Sequence, residues 1–442
     1  FQRQSDLAAM MEVIHHFLLK ADEASPHHMD IKSVLKKALP LFDGGFHVGG
    51  MTGNGIGFVF RDANGIRPSY YYMNDEVVVA ASERAAIRTA LNVGENEVQE
   101  LMPGQALIVN EKGDVEITQI LEPKERKACS FERIYFSRGS DEKIYRERLA
   151  LGYNLSEQVL NAIDHDLKNT IFSFIPNTAE TAFYGMLKGM EDYLNKVKIE
   201  RILSWGKEYD AEKLSEMVNR RIRIEKIAIK DVKMRTFITE DVNRNEMVQH
   251  VYDITYGTVR PGQDTLVVID DSIVRGTTLK ESIIRMLGRL KPKRIVVVSS
   301  SPQIRYPDCY GIDMSKMGDF IAFNAAVELM KERDKLDCLK ELLEKCKDLQ
   351  RNNQLHTENV AKQLYKQFTT EEISAKIAQL ITPPGLDIPV DVIFQSIEDL
   401  HKSCPNNLGD WYFTGNYPTP GGNKVVNKAF INYMEGKNVR GY

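Results

Sequence analysis

No stretch of the 442-residue sequence approaches the roughly 18 consecutive apolar residues of a membrane-spanning helix, so no membrane partner is expected. Cysteine is scarce. The five present (Cys129, Cys309, Cys338, Cys346, Cys404) form no CxxC pair and no even disulfide framework, which points to a reducing, cytoplasmic setting. A basic excess is also lacking: 58 Lys and Arg face 62 Asp and Glu, for a net charge of −4. That balance argues against a nucleic-acid partner. The basic cluster "NRRIRIEK" (219–226) is surrounded by acidic residues and reads as a solvated helix face. There are no internal repeats and no GxxxxGK[ST] phosphate loop. The opening "FQRQSDLAAMMEVIHHFLLK" has the apolar spacing of an amphipathic helix, not a signal peptide. It begins at Phe1 rather than Met, and a preceding portion is expected.

What is present reads as an ordinary globular chain, 43% apolar and 27% charged, long enough for two or three cores. From Gly49 onward, short alternating runs such as "IGFVFRD", "SYYYM" and "EVVVAASE" are separated by Asn-Gly and Pro-Gly turns, which predicts an antiparallel sheet. The charged "LEPKERKA" (121–128) marks a boundary. Beyond it, strands such as "TIFSFIP", "TLVVID" and "RIVVVSS" alternate with helical segments, which predicts α/β architecture with a parallel sheet and crossover helices. The last hundred or so residues read as helical and charged, with a Gly/Pro/Asn-rich tail.

Ligands of an open parallel sheet bind beyond the carboxyl ends of its strands. The stretch "TLVVIDDSIVRGTTLKES" (265–282) lies at such an end. Ser272, Thr277 and Thr278 supply hydroxyls there, and Gly276 lets a ligand approach the backbone. Backbone N–H groups at the start of a helix suit a phosphate. Asp270 and Asp271 would repel a bare phosphate, but they suit a ligand that also carries hydroxyl groups, and a metal. A sugar phosphate satisfies both halves. The same carboxylates would stabilise positive charge developing on a sugar ring.

This stretch resembles the phosphoribosyl pyrophosphate (PRPP) motif of type I phosphoribosyltransferases, and the longer "VVIDDSIVRGTT" (267–278) is similar to that of the glutamine-dependent PRPP amidotransferases. Further segments fall in that family's order: "RDANGIRP" (61–68), "ASERAAI" (81–87), "MPGQALIV" (102–109), "CSFERIYFSR" (129–138), "MRTFI" (234–238), "SSSPQIRYPDCYGIDM" (299–314) and "IEDL" (397–400). The resemblance implies a type I phosphoribosyltransferase α/β sheet preceded by the C-terminal part of an Ntn-hydrolase-like α+β glutaminase domain. It divides the chain into a partial glutaminase domain at 1–125, a phosphoribosyltransferase domain at 126–330 with a helical insertion at 186–225, and a helical C-terminal extension at 331–442.

By resemblance, Asp270 and Asp271 would hold the ribose hydroxyls, and Ser272, Ile273, Val274, Arg275, Gly276, Thr277 and Thr278 would hold the 5-phosphate, largely through backbone N–H groups. A Mg²⁺ would bind mainly through the substrate's own pyrophosphate and hydroxyl oxygens, with Asp270 and Asp271 as its protein carboxylates. Lys230 and Arg235, in the place of the family's flexible loop, would meet the leaving pyrophosphate, while Asn177 and Thr178 occupy its pyrophosphate turn. That turn, "IPNTAETA" (175–182), lacks the family's glycine. Asp6 would contact the amine of glutamine, although the nucleophilic N-terminal cysteine of the family is not in this sequence. No glutamate release from glutamine is therefore expected of the polypeptide itself. Some members carry an iron–sulfur cluster. Only Cys129 and Cys309 stand at its ligand positions, and "GDWYFTG" (409–415) replaces a CxxC stretch, so no cluster is expected. The implied activity is formation of 5-phosphoribosylamine from PRPP and glutamine-derived ammonia, the first committed step of purine biosynthesis. The implied partners are PRPP, glutamine or ammonia, feedback purine nucleotides and further copies of the chain in a homo-oligomer. A second reading is a PRPP-binding regulator with little or no turnover.

Overall fold

Apolar residues at helical spacing fold the N-terminal stretch as helix α1 (Asp6–Ala24), which packs with α2 (Ile31–Ala38). The side chain of Asp30 caps α2 by accepting from the Ser33 N–H. The computed structural model describes residues 5–24, 30–206, 210–230, 252–312 and 314–441. Seven strands follow: β1 (His47–Met51), β2 (Gly57–Arg61), β3 (Tyr70–Met73), β4 (Val78–Ala81), β5 (Gln99–Glu100), β6 (Gln105–Val109) and β7 (Val115–Gln119), with α3 (Arg84–Leu91) between β4 and β5. They pair antiparallel in two sheets, ordered β1-β2-β6-β7 and β4-β3-β5. Alternation decides the layers. Phe58, Phe60, Ala106 and Ile108 face the core under α1 and α2, while Val59, Leu107 and Ile117 face Tyr71 and Leu101 of the second sheet.

Beyond residue 125 come α4 (Glu142–Asn154), α5 (Ser156–Ala162), β8 (Thr170–Phe174), α6 (Glu180–Ser204), α7 (Ala211–Val218), β9 (Arg223–Ile224), β10 (Ala228–Lys230), β11 (Tyr252–Ile254), β12 (Thr265–Asp270), β13 (Arg294–Ser299) and β14 (Val390–Phe394). Five of these strands form a parallel sheet ordered β14-β13-β12-β8-β9, and β10 and β11 form a separate antiparallel ribbon. The apolar runs of β8, β12 and β13 are continuous because both faces are covered. Val267, Ile269, Phe172 and Val298 meet α5 and α6 on one face; Leu266, Val268, Ile171 and Val297 meet the C-terminal helices on the other.

Helices α4 and α6 touch backbone to backbone. A Cβ on Gly152 would stand 1.7 Å from the Ala182 carbonyl oxygen, and one on Gly185 would stand 1.9 Å from that of Leu149. Only glycine permits this approach, and it seats the start of α6 directly against α4.

Two expectations need correction. The segment 331–442 is not a purely helical extension. It supplies edge strand β14, and it buries Trp411, Tyr412 and Phe430 in the main core. Strand β14 was hidden because its five residues are interrupted by Asp391, whose carboxylate is neutralised by Arg294 of β13. Its Gly/Pro/Asn-rich tail includes helix Pro420–Met434. Among the described residues, the segment around 186–225 carries the rest of α6 and then α7, but its end is strand β9 on the opposite edge of the sheet.

Asp264, fully buried just before β12, ties that edge together. It accepts from Arg223 at 2.6 Å and from the Arg260 N–H at 2.7 Å. Burial opposes its charge, but the hydrogen bonds from Arg223 and Arg260 outweigh burial and pull the carboxyl down to about 2. The contribution is therefore complete above the ordinary Asp range and is lost as pH falls through it toward that value. Asp264→Asn should destabilise the chain by about 3 kcal/mol at neutral pH. Thermal melts should show the gap to wild type closing below about pH 4. Gly185→Ala should cost about 3 kcal/mol or more by chemical denaturation, since backbone, not a pliable side chain, opposes the new methyl.

Candidate active site

Strand β12 is the middle strand of the parallel sheet, and its carboxyl end carries the acidic pair. The Ile175 N–H donates to the Ile269 carbonyl and the Ser300 N–H to that of Asp270, both at 2.9 Å. The exits of β8 and β13 thereby pin the end of β12. Asp271 donates its N–H to Asp270 Oδ1 at 2.9 Å, and Ser272 Oγ donates to Asp271 Oδ1 at 3.0 Å. Desolvation raises the Asp270 carboxyl well above the usual range, and the charge of Asp271 adds to it. Burial also raises Asp271, although the hydroxyls of Ser272 and Thr178 and the charge of Arg148 hold it partly down. Two adjacent carboxylates lacking an ion-pair partner among the described residues want hydroxyl donors or a cation.

The loop after them is a cradle made of backbone. Ile273 is buried in the core, and the Val274 carbonyl accepts from the Ile321 N–H at 2.8 Å. Arg275 turns to Asp319, 2.9 Å away. The side chains of Ile273 and Val274 pack on the core and that of Arg275 pairs with Asp319, which leaves the backbone N–H groups of these residues as what they can offer a ligand. None of the backbone N–H groups of residues 273–277 meets a protein acceptor among the described residues. Gly276 has φ +72°, and a Cβ there would come within 2.9 Å of Ile381. The hydroxyl-bearing Thr277 and Thr278 are exposed where the helix begins, first as a wide turn over Leu279–Ile284 and then as Arg285–Gly288.

The turn after β8 joins this site, because the Thr178 hydroxyl lies close enough to the Asp271 carboxylate to lower its pKa. Asn177 is exposed beside it, and the Pro176–Asn177 peptide is cis. Two groups that no sequence reading singled out also converge here. Tyr135, on the wide helical turn Glu132–Phe136, has its phenol pushed up by burial and by the charges of Asp271 and Asp270. Arg148, buried on α4, donates from Nε to the Arg133 carbonyl at 2.9 Å and from Nη2 to that of Ser137 at 2.6 Å. A further bond reaches the Tyr135 carbonyl at 3.2 Å, so Arg148 clamps the turn that presents Tyr135. The only sequence signal for either was the "FERIYFSR" segment as a whole.

Other candidates stand apart. Lys230 is exposed at the end of β10 and makes no bond to the acidic pair among the described residues, and Arg235 lies outside them. Asp6 is exposed in the first turn of α1, within the other half of the chain. The donor set at β12 fits Mg²⁺, which takes one or two carboxylates together with substrate oxygens. Among the described residues no group of three or more His, Cys, Asp or Glu could hold a metal by itself. Cys129 and Cys404 are fully buried, and desolvation pushes the Cys129 thiol up to about 12. No described helix is long and apolar enough to cross a membrane.

No family model matches the chain. It is similar to the amidophosphoribosyltransferase of Pseudomonas aeruginosa, 29% identical over 335 residues, which are 73% of this chain and 59% of that protein. The Escherichia coli enzyme of that name is 28% identical over 74% of this chain and 58% of its own length, and the Saccharomyces cerevisiae one is 26% identical over 92% and 72%. The chain thus spans less than two thirds of the length of the two bacterial relatives. Among solved structures, the Bacillus subtilis glutamine PRPP amidotransferase complexed with ADP and GMP superposes with a TM-score of 0.61 at 24% identity, covering 95% of this chain and 72% of that one. In sequence over most of its length, and in fold, the chain is related to the amidophosphoribosyltransferases.

Proposed function

We propose that the chain transfers the phosphoribosyl group of PRPP to ammonia, forming 5-phosphoribosylamine, within a glutamine-dependent enzyme of purine biosynthesis. One observation carries this reading: a desolvated acidic pair adjoins a loop, residues 273–277, whose backbone N–H groups meet no protein acceptor among the described residues. Asp270 and Asp271 would accept from the ribose hydroxyls, and the backbone of residues 273–277 with Thr277 and Thr278 would hold the 5-phosphate. Thr178 and Asn177 would meet the pyrophosphate. Ammonia attacks C1 as the bond to pyrophosphate breaks, and the ammonium group formed loses its proton to solvent. The carboxylates stabilise charge that develops on the ribose ring, so catalysis is positioning and electrostatics. A Mg²⁺ brought with the substrate would rest on the acidic pair and offset the charge of the leaving pyrophosphate. Feedback by purine nucleotides, a cytoplasmic location and homo-oligomeric assembly belong to the same proposal.

The glycine-free turn 175–182 favours a second reading, a PRPP-binding regulator with little turnover. Pyrophosphate release from PRPP and ammonium chloride at alkaline pH, where free ammonia is present, separates the two. Turnover is expected; PRPP binding without any pyrophosphate release would establish the regulator instead.

A trade-off tests the acidic pair. Its folded-state carboxyls titrate above the unfolded value, so they contribute stability at low pH that is lost as pH rises through the raised value. Asp270→Asn should therefore raise the melting temperature by roughly 2–4 °C at neutral pH. The gain should shrink on acidification toward the ordinary Asp range, while PRPP affinity by calorimetry collapses. Unchanged PRPP affinity in the Asp270→Asn/Asp271→Asn double variant would remove the ribose-hydroxyl assignment.

A further inference from the structure

Helix α6 does two unlike things along its 25 residues. Its buried residues, from Ala182 to Leu194, all belong to the first fifteen positions. Beyond Leu194 the helix leaves the body of the domain and runs against α7, which buries only Met217. A cleft of about 660 Å³ lies between the two, with Ile199, Ile202, Val218 and Ile222 on its walls. Ile199 is 59% exposed and Val218 48%. Leu203, in the last turn of α6, is 74% exposed. Apolar side chains at one-turn spacing, left open along a helix, are what an amphipathic helix covers.

The rim says which kind of helix. Lys198 and Arg221 stand there with Glu191, beside an Arg220 that already pairs with Glu216 at 3.8 Å, on a chain whose net charge is −4. Lys198 Nζ and Arg221 Nη1 donate to the same Val218 carbonyl, at 3.2 and 2.7 Å, and neither forms an ion pair among the described residues. Loss of hydration and the neighbouring Arg221 charge both disfavour the charged form of Lys198, which an incoming carboxylate would relieve. A second copy docking through this same patch is disfavoured. An isologous contact sets a surface against itself, and these cations would then face their own images.

We propose that the α6–α7 cleft receives an acidic amphipathic helix from a partner protein, its apolar stripe on Ile199, Ile202 and Val218 and its carboxylates on Lys198 and Arg221. The site is independent of the acidic pair on β12.

The test uses the whole chain and a fluorescein-labelled synthetic peptide with Leu at helical one-face spacing and Glu elsewhere, beside a Lys-for-Glu version. The Glu peptide should bind saturably by anisotropy, and more weakly as salt is raised. Lys198→Glu/Arg221→Glu should weaken it by about tenfold or more. Ile199→Asp should abolish binding, with melting temperature and PRPP affinity unchanged in both variants. Equal binding of the two peptides, no binding of either, or indifference to Lys198→Glu/Arg221→Glu would overturn the proposal. So would a self-associated form, seen by sedimentation, that Ile199→Asp dissociates, because a second copy would then own the cleft.

Discussion

Two carboxylates, Asp270 and Asp271, are held side by side at the end of a buried strand, and their mutual repulsion is the constraint around which the surrounding structure is built. The cost is tolerable because β12 cannot yield. It is hydrogen-bonded along its length to β8 and β13, and the core covers its side chains on both faces. The pair is partly compensated by the Ser272 hydroxyl, 3.0 Å from Asp271, and by the charge of Arg148, and is left in need of further donors. A site with unspent demand for hydroxyl groups and cations suits the sugar pyrophosphate and metal proposed for it.

The supports of that pair arrive from separate elements, and the close contact of α4 with α6 sets their spacing. Arg148 and the Tyr135 turn depend on α4, while the Thr178 turn leads straight into α6. Gly152 and Gly185 let the two helices meet at backbone distance, so the two supports share one rigid frame. A methyl group at either glycine would move Thr178 relative to Arg148, and with it the balance of charge at Asp271.

The same frame reaches the N-terminal half. Arg67, from the "RDANGIRP" turn, pairs with Glu132 at 2.6 Å and donates to the Tyr310 carbonyl at 3.0 Å. Arg84 grips Asp141 at the start of α4 with two bonds of 2.8 and 2.7 Å. Both arginines are well buried, so these pairs fix orientation through geometry, whatever their net contribution to stability. The turn that bears Tyr135 is therefore held from both sides, by Arg148 within the sheet domain and by Arg67 from the other half.

The acidic pair and the backbone loop after it were legible in the sequence because their parts are consecutive. A strand of buried residues, two acids, a glycine and hydroxyls within 265–278 dictate their own geometry through backbone bonds and the left-handed conformation of Gly276. Strands β8, β12 and β13 were legible for the same reason, since continuous apolar runs report burial on both faces. Strand β14 was not, because Asp391 breaks its pattern until Arg294, far away in sequence, neutralises it. Tyr135 and Arg148 were not legible either. An arginine on a helix reads as surface until three carbonyls of a distant turn surround it. What the sequence determined by itself was the local chemistry of the site: which groups can accept hydroxyls and which can hold a phosphate. Only the tertiary structure decided how strongly those groups demand a ligand, because desolvation and like-charge repulsion are set by neighbours that folding, not sequence proximity, brings to the end of β12.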